Sequence, residues 1–275
     1  MYETPGTAPQ PKGTVSFRLW NIPVTIKPFF WLIALLFSPF FSGHATDSDS
    51  RVLLLGLCAW IAAWFLNFII HEMGHALAAR GLFGASPKIT LFGFGGVTTW
   101  QPYYSRVPGR WGNVLTSLAG PGTELAAAFL LVGILAYFHV SLQWGLTSFG
   151  PVPIPAVMVN LFASASNTPD SVYLPKATLE IFLNSFLWMG FFWGILNLLP
   201  ILPLDGGHIS RGFFAQIFPR GGERLAVWIS MICAAFLAGY CITGKNYIMA
   251  VFFGFFAHLS WVELRKCSAP PSNFD

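Results

Sequence analysis

Apolar residues run almost unbroken through six stretches of the chain, roughly 28–43, 52–80, 113–139, 177–199, 223–243 and 246–264. Runs of this kind suit helices that cross a bilayer, which takes about 20 residues. The first run is short, so its flanks must contribute. Polar or Gly/Pro-rich breaks separate the runs. Residues 15–27 alternate loosely and break at Asn21 to Pro23, which predicts a short hairpin at the membrane surface. The segment Lys88 to Trp100 is too short to cross as a helix, and Gly93, Gly95 and Gly96 discourage one. Non-helical backbone at membrane depth survives only where protein or a water-filled cavity shields it, so a re-entrant extended segment is expected. Within the third run, Ala119-Gly-Pro-Gly122 predicts an interruption, with a kink at Pro121. Residues 141–176 are Pro-rich and mostly uncharged, and the pattern assigns them no element. The fold class expected is an all-α polytopic membrane protein with about six transmembrane helices and a small re-entrant or interfacial β element. It divides into a cytoplasmic N-terminal tail and hairpin (1–27), a transmembrane domain (28–264) and a cytoplasmic tail (265–275).

Composition agrees and excludes the soluble classes. Charged residues make up 9% of the chain, against about 25% in ordinary globular domains, and 28 Phe and 11 Trp swell an apolar fraction of 55%. The net charge of +4 is small and lies along one side of the membrane, which argues against nucleic acid as a partner. With the N-terminus inside, six crossings leave only Arg51, Lys176 and Lys245 of the 15 Lys and Arg on the outer side. That bias puts both termini in the cytoplasm, and a bacterial inner membrane is the expected location. Cys58, Cys233, Cys241 and Cys267 form no CxxC spacing, so neither a disulfide framework nor a cysteine metal site is suggested. No cleavable signal peptide is visible.

Against this background His71-Glu72-Met73-Gly74-His75 stands out. Histidines four apart on a helix stack on one face about 6 Å apart, which suits two bonds to one metal ion. Glu72 projects beside such a metal, where a base acting on an activated water would stand. Ionisable groups in a lipid-like stretch are expensive and usually face a protein interior and carry function. A catalytic zinc needs a third protein ligand, and the carboxylates at membrane depth are Glu124, Glu180, Asp205 and Glu263. Topology puts Glu180 at the outer end of its helix, far from the histidines. Asp205 shares their depth, after two prolines and before two glycines that let backbone approach closely. Its alternative role is N-cap of a helix starting near Ile209. Glu124 is not excluded by depth.

His71-Glu-Met-Gly-His75, together with Asn197-Leu-Leu-Pro200-Ile-Leu-Pro-Leu-Asp205-Gly-Gly-His208, resembles the site-2 protease family of intramembrane zinc metalloproteases. The resemblance extends to the hairpin at 15–27, the Gly-rich segment at 92–97 and the Ala-Gly-Pro stretch at 119–121. It implies one Zn2+ held by His71, His75 and Asp205, with Glu72 as catalytic base for peptide hydrolysis. Asn197 is expected to donate a hydrogen bond to substrate or oxyanion, with an interhelical polar contact as an equal alternative. Glu124 occupies a position where the family commonly has Asn. The partner implied is a membrane-anchored protein unwound within the bilayer and bound by strand addition near Leu91–Val97. No appended PDZ or CBS module is apparent. A metal-binding transporter or a non-catalytic scaffold is the competing class, but ionisable groups gathered at one depth favour the enzyme.

Overall fold

A computed structural model describes residues 12–38, 50–93, 95–101, 109–149, 152–161 and 170–268. In chain order the elements are β1 (Val15–Leu19), β2 (Ile22–Ile26), α1 (Pro28–Leu36), α2 (Ser50–Phe83), β3 (Ser86–Phe92) and β4 (Gly95–Gln101). There follow α3 (Arg110–Tyr137), β5 (Ser141–Phe149), β6 (Val152–Asn160), α4 (Asp170–Asn197), α5 (Asp205–Ile217), α6 (Gly222–Thr243) and α7 (Tyr247–Ser268). Among the described residues five helices are long and apolar enough to cross a membrane: α2, α3, α4, α6 and α7. The protein is an integral, multi-pass membrane protein. The first expected crossing is described only as α1, and much of its remainder, from residue 39 on, lies outside the described residues. Side chains such as Phe236 and Val251 stand 70% and 73% exposed, a pattern suited to lipid as solvent.

The hairpin at 15–27 turns at Trp20 and Asn21, both with positive φ, one step earlier than the expected break. Its second strand continues into a larger sheet. β2 pairs with β3 in parallel, and β3 pairs with β4 in antiparallel, giving the order β1-β2-β3-β4. Ile22, Val24 and Ile26 from the hairpin, Ile89 and Leu91 from β3, and Phe30, Trp64 and Phe68 from α1 and α2 form one buried cluster. The hairpin therefore shares the core of the transmembrane domain. Arg80 near the end of α2 donates to the Trp20 carbonyl at 3.0 Å, and Trp60 donates to Ala34 O at 2.8 Å, fastening the sheet and α1 to α2.

Three further expectations change. α3 runs without interruption through Pro121. Residues 141–160, left unassigned by pattern, form the β5–β6 hairpin, whose second strand is held by α4: Asn184 accepts from Val159 N at 2.7 Å and donates to Val159 O at 3.0 Å. An Asn side chain presents an amide donor group beside a carbonyl acceptor, so it can mimic a neighbouring strand. Glu180 accepts from Leu161 N at 3.0 Å and belongs to this hairpin's support. The unpaired edge expected at Leu91–Val97 narrows. Leu91 is paired on both sides, with Ile26 and Gly96, so within this stretch only Gly95–Val97, on β4, has a side unpaired among the described residues; β4 and β1 are the two outer strands of the sheet.

α2 is the central element. From Asn67 to Ala76 nearly every side chain is buried, because α3, α4, β3 and β4 all pack around this stretch.

Candidate metal centre

His71 and His75 lie eight to twelve residues before the end of α2, which places them about 12–18 Å along the helix axis from Phe83. Each ring is fixed from behind. His75 Nδ1 lies 2.7 Å from the Thr116 carbonyl oxygen, which can only accept, so Nδ1 carries the proton and Nε2 is bare. His71 Nδ1 lies 2.9 Å from Glu124 Oε2, and a proton on Nδ1 leaves Nε2 bare here as well. Such a carboxylate or carbonyl behind an imidazole is the usual device for setting the tautomer of a metal ligand. Glu124 is only 1% exposed, and its second oxygen meets no donor among the described residues.

Asp205 completes the group. Its Oδ2 lies 3.0 Å from His71 Nε2 and 3.3 Å from His75 Nε2, and the two Nε2 atoms are 3.1 Å apart. Three acceptors in one small triangle repel one another unless a cation sits among them. A tetrahedral zinc with bonds of about 2.0–2.1 Å spaces its ligands about 3.3 Å apart, close to the observed edges. The residues present therefore fit a zinc ion. Glu124 faces the far side of His71 and takes no part in the triangle.

Asp205 reaches the histidines because of the chain around it. α4 ends at Asn197, a turn follows through Pro200 and Pro203, and α5 starts at Asp205 itself. The N-cap position is Leu204, so Asp205 is the first helical residue and not the cap of a helix starting at Ile209. A Cβ at Gly206 would strike the Leu198 and Leu199 carbonyls, and one at Gly207 would strike Ile201 and Leu202 backbone. The glycine pair thus lets α5 start pressed against the turn. The turn is in turn pinned from below. Ser230 on α6 accepts from Leu202 N at 2.7 Å and lies 2.7 Å from Ser260 on α7, whose hydroxyl donates to Phe256 O.

Glu72 lies beside the triangle and not in it. Thr98 on β4 donates to Glu72 Oε2 at 2.6 Å, and a Cβ at Gly96 would meet the same carboxylate. A Cβ at Gly120 would likewise meet the His75 ring. Glu72, His75, Gly96 and Thr98 face a cavity of about 850 Å³ lined by α2, β4, the first turns of α3, the end of α4, α5 and α7. Asn197 lines it and is 6% exposed, and its side chain has no hydrogen-bond partner among the described residues. His208, one turn beyond Asp205, also faces the cavity. Desolvation lowers its pKa from the ordinary value, against Asp205, which raises it; Arg211 adds to the lowering. Arg211 itself is forked between Glu263 at 3.1 Å and Glu223 at 3.2 Å.

Residues 59–239 match the model of peptidase family M50. The chain belongs to that family. The matched span contains His71, Glu72, His75, Thr98, Glu124 and Asp205. Among relatives, Rip3 of Mycobacterium tuberculosis is 27% identical over 257 residues, covering 90% of this chain and 56% of its own. A Synechocystis protein, sll0528, is 25% identical over 221 residues, covering 77% and 46%. Both carry a provisional zinc metalloprotease designation, and the chain spans about half the length of each. In three dimensions it resembles the site-2 protease from Methanocaldococcus jannaschii, with a TM-score of 0.53 at 16% identity, covering 91% of this chain and 95% of that one. That likeness establishes the shared fold.

Thr98, Gly120 and the role of Glu124 were not legible from the motif. The signal for Thr98 was present only as its place beside the Gly-rich segment.

Proposed function

We propose that this chain is an intramembrane zinc endopeptidase that hydrolyses peptide bonds in or near the transmembrane segment of a membrane-anchored protein. The observation that carries this reading is the convergence of His71 Nε2, His75 Nε2 and Asp205 Oδ2, each within 3.3 Å of the others, among helices long enough to cross a membrane and beside an acid and a cavity. In this reading His71, His75 and Asp205 hold one zinc ion. Zinc at such a site acts as a Lewis acid and makes water acidic enough to attack near neutral pH.

The rest is the work of the chain. Glu72 takes a proton from the attacking water as its oxygen bonds to the peptide carbonyl carbon. Glu72 then returns that proton to the departing nitrogen as the C–N bond breaks, leaving a carboxylic acid and an amine. Asn197, free to donate into the cavity, stabilises the carbonyl oxygen as it gains charge. A transmembrane helix hides its peptide groups in its own hydrogen bonds, so the substrate must unwind before attack. In this reading the open edge of β4 receives the unwound segment as an added strand, which replaces the lost helical bonds. The charge bias supports an orientation with both termini in the cytoplasm and cleavage near that face, and in this reading the membrane is a bacterial inner membrane.

The test is zinc quantitation beside cleavage of a model single-span substrate, comparing the wild type with Glu72→Gln. Both proteins should hold one zinc, and the variant should lose about 100- to 10,000-fold in rate. Equal turnover, or a wild type that binds no zinc, would sink the reading.

A further inference from the structure

A glutamate side chain turns about three bonds, so a base on a helix is only as well aimed as its outer contacts make it. Among the described residues one hydroxyl contacts the Glu72 carboxylate: Thr98 Oγ1, at 2.6 Å from Oε2. That length suits a charge-assisted bond from a hydroxyl to a carboxylate. The same hydroxyl lies 3.2 Å from the Glu72 carbonyl oxygen, a longer and weaker alternative for its single proton. Gly96, two residues earlier on the same face of β4, has no side chain where Glu72 would meet one, so the strand can come down onto the carboxylate. We propose that Thr98 is a positioning residue for Glu72, holding one carboxylate oxygen from β4 and leaving the other for the reacting water. The proposal rests on Glu72 being the base. It makes the aim of the base depend on β4, an outer strand of the sheet and the one that lines the cavity.

The experiment uses the full chain purified in detergent, with Thr98→Val, which keeps the branched shape and removes the hydroxyl, and Thr98→Ser, which keeps the hydroxyl. Thr98→Val should lower kcat about 10- to 100-fold with KM within about twofold and zinc content unchanged. Thr98→Ser should return kcat to within about threefold of the wild type. A second readout needs no turnover. The infrared difference between wild type and Glu72→Gln isolates the Glu72 carboxylate band, which should shift in Thr98→Val and return in Thr98→Ser. Wild-type kcat in Thr98→Val, a Thr98→Ser variant as impaired as Thr98→Val, or an unmoved band would each overturn the proposal. A wild type that cleaves no better than Glu72→Gln refutes the protease reading instead, and the infrared band still decides whether Thr98 holds Glu72.

Discussion

Glu124 Oε2 lies 2.9 Å from His71 Nδ1, on the side of the ring opposite Asp205. The carboxylate on α3 thus aims an imidazole on α2 at a carboxylate on α5. Removing such a partner from behind a metal-ligating histidine typically costs about 10- to 100-fold in metal affinity. Glu124→Ala should weaken zinc binding by that amount in a competition titration with a chromophoric chelator. Glu124→Gln, which can still accept from Nδ1, should lose less.

Asp205→Ala removes one corner of the triangle while leaving both histidines held from behind. Zinc occupancy of the purified variant should fall well below one. Glu180→Ala, which removes the acceptor of the Leu161 amide just beyond β6, should keep full occupancy. Full zinc in Asp205→Ala would move the third-ligand role elsewhere.

Gly120 offers a steric test, because a Cβ there would meet the His75 ring, whereas one at Gly122 meets nothing within 4 Å. Gly120→Ala should displace His75 and reduce both zinc retention and cleavage, by at least about tenfold in rate. Gly122→Ala, two residues along the same helix, should remain close to wild type in both assays.

Ser230→Ala leaves the Leu202 amide without its side-chain acceptor in a buried turn. An orphaned buried donor costs about 1–3 kcal/mol. Thermal unfolding in detergent should therefore come at a lower temperature. Because that turn carries Asp205, zinc should also dissociate faster from the folded variant.

Arg211 links α5 to α6 and α7 through Glu223 and Glu263, but it is about a third exposed. Pairs in that setting contribute about 0–1 kcal/mol each. Arg211→Gln should therefore change unfolding little and leave zinc content unaltered, in contrast to Ser230→Ala.

Much of this protein is determined by its sequence taken alone. Long apolar runs can satisfy their backbone groups in lipid as helices, so α2, α3, α4, α6 and α7 and their approximate bounds follow from composition and length. His71 and His75 share a face because a helix repeats every 3.6 residues, a local property that needs no partner. Lysine and arginine sort by side of the membrane, so an expected orientation is also legible. What only the tertiary structure decided is everything that depends on residues distant in sequence. Glu124 stands 53 positions from His71, and depth and periodicity did not tell whether it would bind metal or stand behind a ligand. Asp205 shares the depth of the histidines by topology, but local rules left an N-cap role open to it, and packing of α5 against the 198–202 turn brings it to the third corner of the triangle. The Gly-rich segment reads as extended, but which of its edges stays open was settled when β2 paired with β3. Strand pairing and close backbone packing are non-local, so the hydroxyl of Thr98 has no visible purpose until β4 lies across Glu72.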